Sequence, residues 1–126
     1  MSREFGVEDR VDPRIAGLFG GGIGNTGSVC GAVIGGVMAL GLLLERGETM
    51  EEMFRAYGVA AEFRRRFEAE AGEMGCRELT GADLTTPEGV EEYMGSEVPM
   101  MVCFPAVATA FRLVRELLEE NRPAEG

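Results

Sequence analysis

Residues 19–45 read FGGGIGNTGSVCGAVIGGVMALGLLLE, and the contrast between the two halves of this stretch decides the fold. From Val29 to Leu44 the chain is densely apolar and carries no charge, which reads as a helix buried in a core. A membrane span needs about 20 apolar residues, and the glycines at 20, 21, 22, 24 and 27 break the first half. Only Arg14 and Glu45 flank the run, with no basic cluster to orient insertion, so no membrane span is expected. Ser28 is the expected cap, and the helix should run to about Glu45 and stop at Arg46-Gly47. Gly31, Gly35 and Gly36 clear one stripe of it. Each costs about 1 kcal/mol relative to alanine, so a close approach by another backbone is predicted there.

Working outward, Asp12-Pro13 has the form of an N-cap and first helical position, predicting a short helix over 13–18. Phe19–Gly27 is a glycine-rich loop. Thr49 and Glu52 form a capping box opening a helix to about Ala71. Met53, Phe54, Tyr57, Val59, Ala60, Phe63 and Phe67 are spaced for its buried face. Arg64, Arg65 and Arg66 belong to its solvated side, with Glu62, Glu68 and Glu70 as partners. Cys76–Leu79 predicts a helical turn, and Thr86-Pro87-Glu88 opens a helix to about Met94. Pro105 sets the first turn of a last helix to about Asn121, with Val107, Ala110, Phe111, Val114, Leu117 and Leu118 inward. No run alternates at period two. The expected fold is all-α: one domain over 1–126, a small bundle of about five helices with the glycine-rich loop before the central helix.

Composition removes several kinds of chemistry. The 126-residue chain has a net charge of −10, no histidine, and twelve basic residues that are all arginine. An acidic chain without a basic patch is a poor partner for nucleic acid or an anionic membrane. Lacking lysine, it has no Walker phosphate loop or Schiff base, and lacking histidine it has no imidazole ligand or Cys/His pair. Acid–base work would fall to carboxylates, thiols, Tyr57 or Tyr93. Met1–Asp12 shows no secretory pattern, so a cytoplasmic location is expected.

Two constellations stand out. Gly22, Gly24 and Gly27 match GxGxxG, but that fingerprint needs a preceding strand, and Arg14–Phe19 reads as helix. Backbone N–H groups around Gly21, Gly22, Gly24 and Gly27 remain candidates for lining an anion or cofactor site. The sharper signal is Cys30, Cys76 and Cys103, each placed where a helix is expected to begin. Helix N-termini favour thiolates, and Arg77 beside Cys76 would add to this. Converging, the three would make a redox pair with a resolving thiol, or a thiolate site for zinc, copper(I) or an iron–sulfur centre. Kept apart, they are buried packing residues. Their odd number rules out an all-disulfide framework within one chain.

Cys30-Gly31-Ala32-Val33-Ile34-Gly35, the loop before it, Cys76-Arg77-Glu78-Leu79, Asp83–Gly89 and Cys103 with Val107 and Ala110 together resemble the C_GCAxxG_C_C family. The resemblance spans about residues 11–120. It implies a small helical domain with redox or metal-centre chemistry at Cys30, Cys76 and Cys103, and a redox or transporter-associated partner. A first cysteine on an N-terminal helix, part of the family pattern, has no counterpart here. The apolar surface left by that helix would be covered by self-association, so a homodimer is expected. Two rival readings stand beside this one: a non-enzymatic helical oligomerisation module with structural cysteines, and a small-ligand cavity above the glycine loop.

Overall fold

The computed structural model describes residues 12–45 and 47–122. A 3-10 helix, Pro13–Phe19, leads into α1 (Gly20–Ile23), α2 (Gly31–Leu43), α3 (Met50–Ala71), α4 (Cys76–Thr80), α5 (Pro87–Met94), a π turn (Pro99–Cys103) and α6 (Phe104–Glu120). The fold is all-α, and no strand occurs among the described residues beyond one isolated bridge, Val29 to Gly75. No single helix among them is long and apolar enough to cross a membrane. Only the pair Pro87–Met94 and Pro99–Glu120, bent by 72°, reaches that length and composition together.

Three helices make the core. Val33, Gly36 and Leu40 of α2 meet Val59, Phe63 and Phe67 of α3 and Ala106, Ala110, Leu113, Val114 and Leu117 of α6. Ion pairs show that α3 runs antiparallel to α6: Glu70 meets Arg112, and Arg66 bridges Glu62 and Glu120 at 2.9 and 2.7 Å. The end of α2, Leu43–Glu45, lies beside the end of α6, so these two run the same way. Both therefore begin at the end of the bundle where α3 finishes. That end carries all three cysteines.

Several expectations are corrected. The helix after the glycine loop begins at Gly31, two residues later than a Ser28 cap would start it, because Val29 is drawn into the bridge with Gly75. Cys30 becomes its N-cap. The expected backbone approach is met at Gly31, where a Cβ would stand 3.5 Å from the Phe19 carbonyl oxygen, but at Gly36 the neighbour is the Phe63 ring and at Gly35 nothing lies within 4 Å. The inward face of α3 is narrower than its pattern: Met53, Phe54 and Tyr57 are exposed, since α6 covers only the later turns. On α6, Val107 is exposed, and Ala106 and Leu113 take the buried places. Glu70 pairs with Arg112 across the bundle, while Arg64 takes Glu68 and Arg65 takes Glu62. The capping box of Thr49 and Glu52 forms as expected.

Candidate functional site

Two local devices place the three cysteines. Cys30 and Cys76 are brought together by the Val29–Gly75 bridge, in which Cys30 N–H donates to Met74 O at 2.8 Å and Cys76 N–H to Ser28 O at 2.7 Å. This antiparallel pairing sets Cys30 opposite Met74 and Cys76 opposite Ser28, so the two cysteines are diagonal neighbours. Such neighbours stand roughly 7–8 Å apart, with side chains on one face.

The glycine loop closes the back of this arrangement. Gly21, Gly22, Ile23, Gly24 and Asn25 all have φ between 61 and 72°. That left-handed run is open to glycine and strained for a β-branched residue such as Ile23. It curls the loop so that Gly27 N–H reaches Gly21 O at 3.0 Å and Ser28 N–H reaches Gly22 O at 2.9 Å. Gly22 is buried, and a Cβ there would stand 2.7 Å from the Cys76 Cβ and 2.5 Å from Ser28 N. A Cβ on Gly27 would meet the Arg77 Cβ at 2.9 Å. Gly22 and Gly27 thus form the seat of α4. Gly24 has open space around it and caps the turn, its N–H donating back to Gly20 O. The side chain of Arg77 is exposed, and its charge bears on Asp83, whose carboxyl is held low first by Thr85 and then by this guanidinium.

Cys103 arrives from the other side. The helical path begins at Pro99 rather than Pro105: a π turn runs through Cys103 directly into α6, with Phe104 N–H donating to Pro99 O. The Tyr93 hydroxyl, at the end of α5, lies 3.0 Å from the Cys103 sulfur. Burial, then the Cys103 hydrogen bond, then the negative charges of Cys103, Cys76 and Cys30 push the Tyr93 phenol up. The phenol is therefore the donor whenever Cys103 is a thiolate.

The three thiols converge. Cys76 is buried, Cys30 and Cys103 are half-buried within electrostatic reach of it, and none of the three is in a disulfide. Burial pushes the Cys76 thiol up, and the charges of Cys30 and Cys103 push it further. A thiolate at the start of five-residue α4 is thus outweighed by desolvation, the reverse of the expectation from its helix-end position. No group of three or more cysteine or acidic side chains among the described residues is placed to hold a metal ion. The thiols lie within electrostatic reach of one another without forming a ligand set.

Tyr93 was legible in the sequence only as one of two tyrosines available for proton chemistry. Its ten-residue separation from Cys103 crosses a turn that only the π geometry folds back.

A family model described as "Putative redox-active protein (C_GCAxxG_C_C)" matches residues 1–117. The chain belongs to this family, and its match extends further toward the N-terminus than the motifs alone indicated. Neither a curated protein nor a solved structure gives a significant match.

Proposed function

We propose that the chain is a thiol–disulfide redox protein that works through Cys30, Cys76 and Cys103. The convergence of three free thiols on the end of the bundle where α2 and α6 begin is the observation that carries this reading. The start of α2, with Cys30 as its N-cap, presents a partially positive helix end to this corner. In the reaction, a thiolate of the cluster attacks a partner disulfide, forming a mixed disulfide and releasing one partner thiol. A second thiol of the cluster then displaces the other. Two electrons and two protons pass to the partner, which leaves as a dithiol, and an intramolecular disulfide stays behind. A disulfide tolerates a Cα separation up to about 7 Å, so the Cys30–Cys76 diagonal of roughly 7–8 Å has to draw in slightly for that bond to form. Tyr93 hydrogen-bonds Cys103 as the third sulfur.

Thiol counting with and without prior reduction, together with anaerobic metal analysis, tests this. One disulfide per chain after mild oxidation and no bound metal is the expected outcome. A stoichiometric metal with all thiols protected would replace the reading with a metallocentre.

One observation favours a second reading, association of copies. α2 has no polar residue, yet Ile34, Met38 and Leu42 on its outer side are only half-buried beside exposed Gly35, Val37 and Gly41. A helix apolar all round is ordinarily enclosed on every side. A second copy of α2 would supply an equally uncharged surface, and sedimentation of the chain over a concentration series tests it.

A further inference from the structure

We infer that the apolar rim of the thiol corner docks a cationic, apolar polypeptide segment carrying the disulfide on which the thiols act. The inference rests on the redox reading and names the partner class. Met94, Met100, Met101, Phe104 and Val107 are between 55 and 69% exposed. They lie within four residues of Tyr93 or Cys103 in the chain, and the bond between those two joins the end of α5 to the segment that opens α6. At these exposures they present on the order of 500 Å², at the upper end of what a solitary protein leaves bare. This is less than the roughly 800 Å² per partner of a stable complex, so the surface suits a transient client better than a permanent one. Methionine adapts its shape to varied apolar partners.

Charge selects the client. Between Arg77 and Arg112 there is no basic residue, while Glu88, Glu91, Glu92 and Glu97 are exposed around the rim. A second copy of this chain, with its net charge of −10, would set like charges against like here. A segment with arginine or lysine flanking apolar residues meets both features at once.

Two synthetic peptides of equal length test this. Each carries one cysteine blocked as a 2-thiopyridyl disulfide between apolar residues, flanked by arginines in one and glutamates in the other. A thiolate of the chain attacks the peptide sulfur, the new S–S bond forms, the old one breaks, and 2-thiopyridone leaves as the measured product. Each rate is divided by that of the same protein with 2,2′-dithiodipyridine. The arginine peptide is expected to react about tenfold faster at low ionic strength, with the advantage shrinking as salt rises. Combined Glu91→Gln, Glu92→Gln and Glu97→Gln should remove most of that advantage. The same loss of charge at the far end, Glu48→Gln, Glu51→Gln and Glu119→Gln, should leave it in place. Met100→Ser with Met101→Ser should slow both peptides several-fold. Equal rates for the two peptides, or equal losses from both triple variants, would overturn the docking surface alone. A wild-type chain whose thiols ignore 2,2′-dithiodipyridine would overturn the redox reading beneath it.

Discussion

The two ends of this small bundle are built by different physics. Along its length, α2, α3 and α6 are held by apolar side chains that leave water together, with Phe63, Phe67, Leu113 and Val114 almost wholly enclosed. At the thiol corner, position is set by backbone hydrogen bonds, a left-handed glycine run and one phenol–sulfur contact. The first region tolerates changes that keep volume and fails when volume is lost. The second should tolerate loss of apolar area and fail when a backbone path is blocked. A reactive corner can thus be held in register without being buried deeply enough to exclude a partner.

The largest expected effect tests the packed region. Phe63→Ala empties the ring that fills the space against Gly36 and should cost about 3–5 kcal/mol in urea unfolding. If the loss were under 1 kcal/mol, the packed core would not be what holds the bundle.

Glycine substitutions sharpen the contrast next. Gly22→Ala sets a Cβ on Cys76 and Ser28 at φ 72°, and is expected to destabilise by about 1–3 kcal/mol while speeding alkylation of Cys76 as its seat opens. Gly35→Ala, on the exposed side of α2 with nothing within 4 Å, should instead gain up to about 1 kcal/mol. Peptide mapping of alkylated cysteines alongside unfolding curves reads both. Equal behaviour of the two variants would erase the distinction.

At the corner itself, Tyr93→Phe removes the hydroxyl that is hydrogen-bonded to Cys103 and that donates to its thiolate. Alkylation of Cys103 at neutral pH should slow roughly tenfold, the scale of one hydrogen bond to a charged group of about 1.5 kcal/mol. Tyr57→Phe, on an exposed tyrosine of α3, serves as the comparison and should change nothing.

Smallest are the pH effects, and they run in opposite directions for the two regions. Glu62, beside Arg65 and Arg66, has its carboxyl lowered from 4.5 to about 2. A carboxylate lowered on folding stabilises above its unfolded value, so this contribution fades as pH falls from about 4.5 toward 2. It is modest because the carboxylate remains partly open to solvent, which screens the pair. Cys76 is raised above 9.0, first by burial and then by Cys30 and Cys103. The folded chain therefore prefers the thiol, and stability present below pH 9.0 declines as pH climbs beyond it. Chemical denaturation across pH checks both. The alkaline decline should shrink in Cys76→Ser, the raised Tyr93 phenol carrying what remains, and the acid one should shrink in Glu62→Gln.

What was legible in the sequence follows the same division. The packed region announces itself through 3.6-residue periodicity, a capping box at Thr49 and prolines at helix starts, all local signals. Where α6 shields only the later turns of α3, periodicity overstated burial, and Met53, Phe54 and Tyr57 stayed outside. At the corner the cysteines were legible as residues, but their arrangement was not. The Val29–Gly75 bridge joins segments far apart in the chain, and a π turn in place of a fresh helix start has no sequence mark. Nor did spacing reveal that burial would work against ionisation of Cys76.

The central claim is that the three thiols act as one redox unit. Equilibrating the chain against a series of glutathione redox ratios, with intact-mass readout, tests it most directly. The account predicts a single reversible transition to one internal disulfide per chain, restored to three free thiols by a dithiol. Three thiols that remain free, or that each add glutathione independently across the whole series, would contradict it.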